Sequence, residues 1–289
     1  MELPLVVGVD GSPGSLTALD WAVDEAARHD VRLRILYASL WERYEGRLPP
    51  AEGPSPETLA EEAVTIAAAR RAQERDPALR VHADTAPEEA VNALVEASRH
   101  AFLLVTGPSG RGALTGLLLG SVSLAVAGRS HCPVVVVRGD EAAVQGEHGR
   151  VLLGVGDEEE APAAVRFAFR EAAARGCEVH ALRAWRHPVR QSVDHYPLPS
   201  GATLDAEERA GRELDDALRP AVEQHPEVVV RAATVEGPPR RALVDASADA
   251  DLLVVGAVRW HHGLGLHLGR VSHAALHHAR CPVAVVPAA

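Results

Sequence analysis

Short apolar runs alternate with helically spaced stretches along the whole chain. Residues 3–9 form an apolar run of strand length. Residues 15–29 follow with Leu16, Leu19, Ala22, Val23 and Ala26 on one side of a helix. Ser12 and Ser15 are both candidates for its cap. Residues 32–38 predict a second strand, and residues 39–56 a Pro- and Gly-rich loop carrying Trp41 and Tyr44. A helix over 57–75 stops at Asp76-Pro77. A third strand over 80–85 leads to a helix over 87–98 with proline at its start. The run Phe102-Leu103-Leu104-Val105 predicts a buried fourth strand over 102–106. A glycine-rich loop, a helix opening at Gly120 and a strand over 134–138 complete the unit.

The same order then recurs. Strands are expected over 151–155, 178–184, 228–234, 252–255 and 283–286, and helices over 161–175, 204–225, 239–247 and from Gly269, with a Pro-containing loop over 186–202. Gly107 matches Gly256, Cys132-Pro133 matches Cys281-Pro282, and Ala93-Leu94-Val95 matches Ala242-Leu243-Val244, all 149 positions apart. Near the start of each unit the offset is 146, as Gly8 and Gly154 show. So long a period is a domain duplication and not a solenoid repeat. Residues 139–149 read as a polar linker, which gives domains over 1–139 and 150–289. Strands alternating with helices predict an α/β fold, parallel sheets with helices on both faces.

Composition narrows the chemistry. The 289 residues suit two ordinary domains, and 47% are hydrophobic while only 3% are aromatic, so the cores must be Val, Leu and Ala. A net charge of −11 argues against general nucleic-acid binding. The chain contains no lysine, which excludes a Walker-type phosphate loop and Schiff-base catalysis. The three cysteines, Cys132, Cys177 and Cys281, have neither metal-ligand nor redox spacing and fit a reducing cytoplasm. The start of the chain reads as strand and not as a signal peptide, and no apolar run reaches membrane-spanning length.

The candidate chemistry lies in residues 106–122, TGPSGRGALTGLLLGSV. A strand ends, a glycine loop follows, and a helix opens on Gly120-Ser121. Gly107 and Gly110 let the backbone approach a ligand. Gly120, Ser121 and Val122 would offer main-chain amides, and Ser121 its hydroxyl, to a phosphate tail at a helix N-terminus. Together they make a phosphate cradle built mostly from backbone. Arg111 lies in the same loop, within reach of a phosphate, and reads as solvated in preference to that.

The spacing Gly-x2-Gly-x9-Gly-Ser resembles the nucleotide-binding signature of the universal stress protein family, in its ATP-binding kind. Val7-Gly8-Val9-Asp10-Gly11-Ser12 resembles the family's first strand and the acidic residue after it, and Cys132–Val137 its last strand. The resemblance implies two tandem Rossmann-like domains of the adenine nucleotide α-hydrolase-like type. Each would hold a five-stranded parallel sheet of order 3-2-1-4-5. In that order the winding reverses between strands 1 and 4, where open α/β sheets bind ligands. Asp10 and Gly107 end those strands. The resemblance places Asp10 near base and ribose; its carboxylate could equally hold Mg2+ on the phosphates. Gly11 and Ser12 would line the same mouth, and Ala38 and Thr106 would flank the adenine by position.

The resemblance further implies an ATP-binding, cytoplasmic stress-response regulator with an adenine nucleotide as ligand, with or without Mg2+, and an unidentified protein partner. The last strands would pair edge to edge into an intramolecular pseudodimer, with dimerisation of the whole chain as a further option. Two other readings stand beside it: a slow ATPase on the same fold, and a structural or chaperone-like pseudodimer in which nucleotide only stabilises the chain. The second unit departs from the pattern. Arg259 stands at the Gly110 position, Arg270 at Ser121, and Gly156 at Asp10 with Asp157 one residue late. ATP is therefore expected in the first unit, and weakly or not at all in the second. The second unit is also histidine-rich, with His261, His262 and His267 in its loop and His273, His277 and His278 on the helix after it. His273 and His277 share a face, but no carboxylate or cysteine completes a metal set, so a solvated face is the reading.

Overall fold

A computed structural model of the chain describes residues 3–39, 56–109, 119–156, 161–186, 201–257 and 268–288. The first unit runs β1 (Leu5–Gly8), α1 (Pro13–Arg28), β2 (Leu33–Ala38), α2 (Pro56–Arg75), β3 (Val81–Ala86), α3 (Ala90–Ala97), β4 (Leu103–Thr106), α4 (Ser121–Arg129) and β5 (Val134–Val136). A short helix α5 (Glu141–Gln145) follows. The second unit runs β6 (Arg150–Gly154), α6 (Ala161–Arg175), β7 (Glu178–Trp185), α7 (Gly201–Gln224), β8 (Val230–Glu236), α8 (Pro239–Ala246), β9 (Leu252–Ala257), α9 (Arg270–His278) and β10 (Val283–Pro287).

All ten strands form one sheet of order β3-β2-β1-β4-β5-β10-β9-β6-β7-β8. Each half thus has the order 3-2-1-4-5. Every pairing within a half is parallel, and the halves meet where β5 and β10 run antiparallel, Val136 opposite Val283 and Val134 opposite Val285. The central strands are apolar at consecutive positions because both faces are covered: Leu5, Val6 and Val7, like Leu103, Leu104 and Val105, are wholly buried. One core layer packs α1, α2, α6 and α7 on one face of the sheet. The other packs α3, α4, α8 and α9 on the opposite face. Both layers run unbroken through the two halves. Alanines supply much of the helix surface, Ala18, Ala22, Ala26, Ala164, Ala168 and Ala172 among them, so helix backbones lie close to the sheet.

The linker is more ordered than its polar composition predicts. Asp140 caps α5 by accepting from the Ala143 amide at 3.0 Å, and Gly146 ends the helix at φ 78°. The buried Asp251 carboxylate accepts the amides of His148 and Arg150 at 2.9 and 3.0 Å, which pins the entry to β6.

Candidate functional site

Neighbouring strands β1 and β4 pair in register, Leu5 with Leu103 and Val7 with Val105, but their chains leave toward opposite faces. A cavity of about 520 Å³ opens between their carboxyl ends. Asp10, Ala38, Thr106, Gly107, Gly120, Ser121 and Val122 all line it, so the structure gathers these predicted residues from four places in the sequence. Gly11 and Ser12 stand beside the cavity and not on its wall. Gly110, Arg111, Trp41 and Tyr44 lie outside the described residues. The sequence reading did not find Leu36, Ala90 and Leu94, which form the apolar side of the cavity, nor Ser109 on its polar side. Leu94 sits on α3 in an ordinary core pattern; only the close approach of α3 to Gly8, where a Cβ would lie 3.0 Å from Leu94 Cδ2, brings it to the cavity.

The turn after β1 is held by its own side chains. Gly11 has φ 77°, which a glycine adopts without strain. The Ser12 amide and hydroxyl both donate to Asp10 Oδ1, at 3.0 and 2.6 Å, while Ser12 Oγ accepts the Ser15 amide at 3.3 Å as the cap of α1. Ser12 therefore orients Asp10 instead of facing a ligand, and of the two capping candidates it is the one that serves. Across the crevice the glycine loop is closed at its neck, where the Gly120 amide donates to the Pro108 carbonyl at 2.6 Å. Ser123 Oγ donates to the Gly107 carbonyl at 2.7 Å, tying α4 to the end of β4. Gly120 is the N-cap of α4 and no side chain caps that end, so the first amides of α4 look toward the cavity. Beside them Thr106 Oγ1 is buried and has no hydrogen-bond partner among the described residues. An apolar slot, one oriented carboxylate and a row of amides suit a flat apolar group joined to an anionic tail.

The second unit repeats the crevice at reduced size, about 320 Å³. The bond from Ser123 to Gly107 has its counterpart from Ser272 Oγ to the Gly256 carbonyl at 3.1 Å. The contents differ. Arg183 lines this cavity, its Nη1 donating to the Gly156 carbonyl, where the first unit has Asp10, and its Nη2 lying 2.5 Å from Glu213. Arg270 opens α9. Asp157, Arg259, His261, His262 and His267 lie outside the described residues.

Where α1 meets α6, Glu25, His29, Glu171 and Arg175 form an ionic cluster between the units. Both glutamate side chains are wholly buried. Arg175 Nη2 is 2.7 Å from Glu25 Oε2, and His29 Nε2 is 3.3 Å from Oε1 of each glutamate. Burial by itself would lower the His29 pKa, but its contacts with Glu171 and Glu25 outweigh that and hold it at about 9. Burial, and then the charge of Glu25, push Glu171 up. Burial also acts to raise Glu25, yet the charges of Arg175 and Arg28 and the hydrogen bonds with Glu171 and His29 together outweigh it and keep Glu25 well below the usual carboxylate range. Glu25, His29 and Glu171 are close enough to share a metal ion. Arg175 and Arg28, both paired to Glu25, already supply the opposing charge. On α9 the rings of His273 and His277 lie 4.4 Å apart, and burial, followed by its histidine neighbours, lowers His277.

The sequence profile of the universal stress protein family matches residues 3–138 and again residues 147–287. Universal stress protein Rv2005c of Mycobacterium tuberculosis is 35% identical over 303 residues, covering 97% of this chain and 96% of its own. The crystal structure of a universal stress protein from Archaeoglobus fulgidus superimposes with a TM-score of 0.71 at 18% identity, covering 99% of this chain and 98% of that one. A universal stress protein in complex with cAMP is 33% identical, covering 47% of this chain and 96% of its own, at a TM-score of 0.37.

Proposed function

The chain belongs to the universal stress protein family, and from that premise we propose that its first unit binds an adenine nucleotide, ATP foremost, as the signal of a cytoplasmic stress-response regulator. The observation that carries the reading is the cavity between β1 and β4. There the first amides of α4 and the Thr106 hydroxyl, which has no partner among the described residues, face an apolar slot bounded by Leu36, Ala38 and Leu94. The base fills the slot, Asp10 faces the ribose, and the phosphates lie on the amides of Ser121 and Val122 with the Ser121 hydroxyl. Asp10 is the one carboxylate among the described residues of the wall, which suits a Mg2+ ion held chiefly by phosphate oxygens. No histidine or arginine is among those described residues, which supports reading ATP as a bound signal and not a substrate turned over. A protein partner would read the occupied state. The second unit binds ATP far more weakly, because Arg183 engages the Gly156 carbonyl in its smaller cavity.

Ser121→Pro tests this directly. Proline is tolerated at the first position of a helix, and Gly120 already has φ −69° and ψ 148°, suitable before proline. The substitution removes one amide donor and the hydroxyl while leaving α4 in place. Calorimetric titration of the full chain should give one ATP per chain, weakened about tenfold or more in this variant. Two equivalent sites, or unchanged affinity in the variant, would overturn the reading. Multiple-turnover phosphate release lost in Asp10→Ala would replace the sensor with an enzyme.

A further inference from the structure

The duplication supplies a control for each exposed position. Helices α2 and α7 correspond at an offset of 149, and their inward residues keep register: Glu61, Thr65 and Ala72 are buried, and so are Ala210, Leu214 and Ala221. Their outward faces differ in kind. On α2 the exposed residues include Leu59, Ala60, Ala63, Ile66 and Ala67. The equivalent residues of α7, exposed as well, are Glu208, Arg209, Arg212, Asp215 and Asp216. The fold therefore requires nothing apolar at these positions, yet the first unit leaves Leu59 51% and Ile66 67% exposed. Single exposed hydrophobic residues are ordinary, but these five make a continuous stripe over about two turns. Among the described residues nothing covers it.

The stripe is symmetric. At about 3.6 residues per turn, Ala63 stands on the side of α2 opposite the buried Glu61, Thr65, Ala68 and Ala72. Leu59 and Ala67 lie equally far to either side of Ala63, and so do Ala60 and Ile66. A second α2 laid antiparallel, with a two-fold axis through Ala63, sets Leu59 of each copy on Ala67 of the other and Ile66 on Ala60. Every large side chain then meets a small one. Charge selects the same direction. Arg70 shares the line of Ala63 and is exposed, held only by Glu74 of its own helix at 2.7 Å. A parallel pair would bring Arg70 onto Arg70 and Ile66 onto Ile66. The antiparallel register carries Arg70 to the partner's first turn, where the sequence is Pro-Glu-Thr.

We propose that the outer face of α2 is a contact between two copies of this chain, an isologous antiparallel helix pair centred on Ala63. It uses neither β5 nor β10, whose edges are already joined within the chain. One helix pair buries less than the roughly 1,200 Å² at which stable interfaces begin, so the dimer is weak and forms at high concentration.

The test is sedimentation of the full chain from micromolar to millimolar concentration, where a monomer–dimer equilibrium is expected. Leu59→Glu combined with Ile66→Asp installs the residues that α7 carries at these positions, so the helix accommodates them. The pair should weaken the dimer at least about tenfold and leave the melting temperature of the monomer unchanged. Ala63→Cys tests the axis. Helices in contact lie about 8–10 Å apart, which brings two facing thiols within disulfide reach, so mild oxidation should link chain to chain beyond the wild-type level. Gln73→Cys, exposed on the same helix but far from the axis, should not link. A monomer at every concentration would overturn the proposal. So would a dimer untouched by the paired substitution, or cross-linking no greater in Ala63→Cys than in Gln73→Cys.

Discussion

Gly107 carries two demands at once. A Cβ there would lie 2.5 Å from the Gly14 carbonyl oxygen and 2.6 Å from its carbon, because the end of β4 runs against the first turn of α1. The sequence shows the glycine but offers only a ligand-side reason for it; the packing reason appears when the two segments are in contact. Gly107→Ala is therefore expected to cost about 1–3 kcal/mol of stability in urea titrations without nucleotide, since backbone and not a flexible side chain must move. Thr106 behaves in the opposite way. Its hydroxyl is buried and has no partner among the described residues, so Thr106→Val should leave stability without nucleotide unchanged or slightly raised. The same variant should weaken ATP binding. A variant that lost stability but bound ATP normally would mean that the hydroxyl serves the fold alone.

Among the elements, α1 and α6 hold the units together at one point. Positions 25 and 171 are both glutamate, while the partner positions differ, His29 in one helix and Arg175 in the other. Arginine is charged at every accessible pH, but His29 is not. Its pKa in the folded chain, about 9, stands above its ordinary value of 6.5. Its contribution to stability is therefore fully present below pH 6.5 and is lost as pH rises through about 9. Glu171, also raised, acts in the same direction. Denaturation at pH 6.5 and at pH 9 should show wild type losing stability over this interval, and His29→Gln should lose markedly less. Glu25→Gln should cost about 3 kcal/mol at neutral pH, because it leaves Arg175 buried without its carboxylate. The helices themselves were legible in the sequence, α6 to its first and last residue; their junction was not, since Glu25 and Arg175 come together from different halves of the chain.

At the scale of the molecule, the two halves share one sheet and both core layers. Joining β5 to β10 covers two apolar edges at once, Val134–Val136 and Val283–Pro287. A fragment of residues 1–139 would leave the β5 edge open. Its sedimentation is expected to show a concentration-dependent dimer, in which a second copy takes the place of β10; a monomer at all concentrations would mean that this edge contributes little to association. The fragment should still bind ATP, because every described residue of the first cavity lies within it.

The alternation of apolar runs with helical spacing determined the α/β class and the duplication, because backbone pairing and burial act on short stretches that a pattern records. The glycine spacing and Asp10 marked which strand ends would form a crevice, since small residues there let two backbone segments approach closely, as Gly107 does against Gly14. Tertiary structure alone decided the rest. It decided that Ser12 spends its hydroxyl on Asp10 and the cap of α1, that Leu94 completes the apolar slot, and that Glu25 meets Arg175. Each of these depends on a contact between residues far apart in the chain, where the neighbour, and not the residue itself, sets the energy.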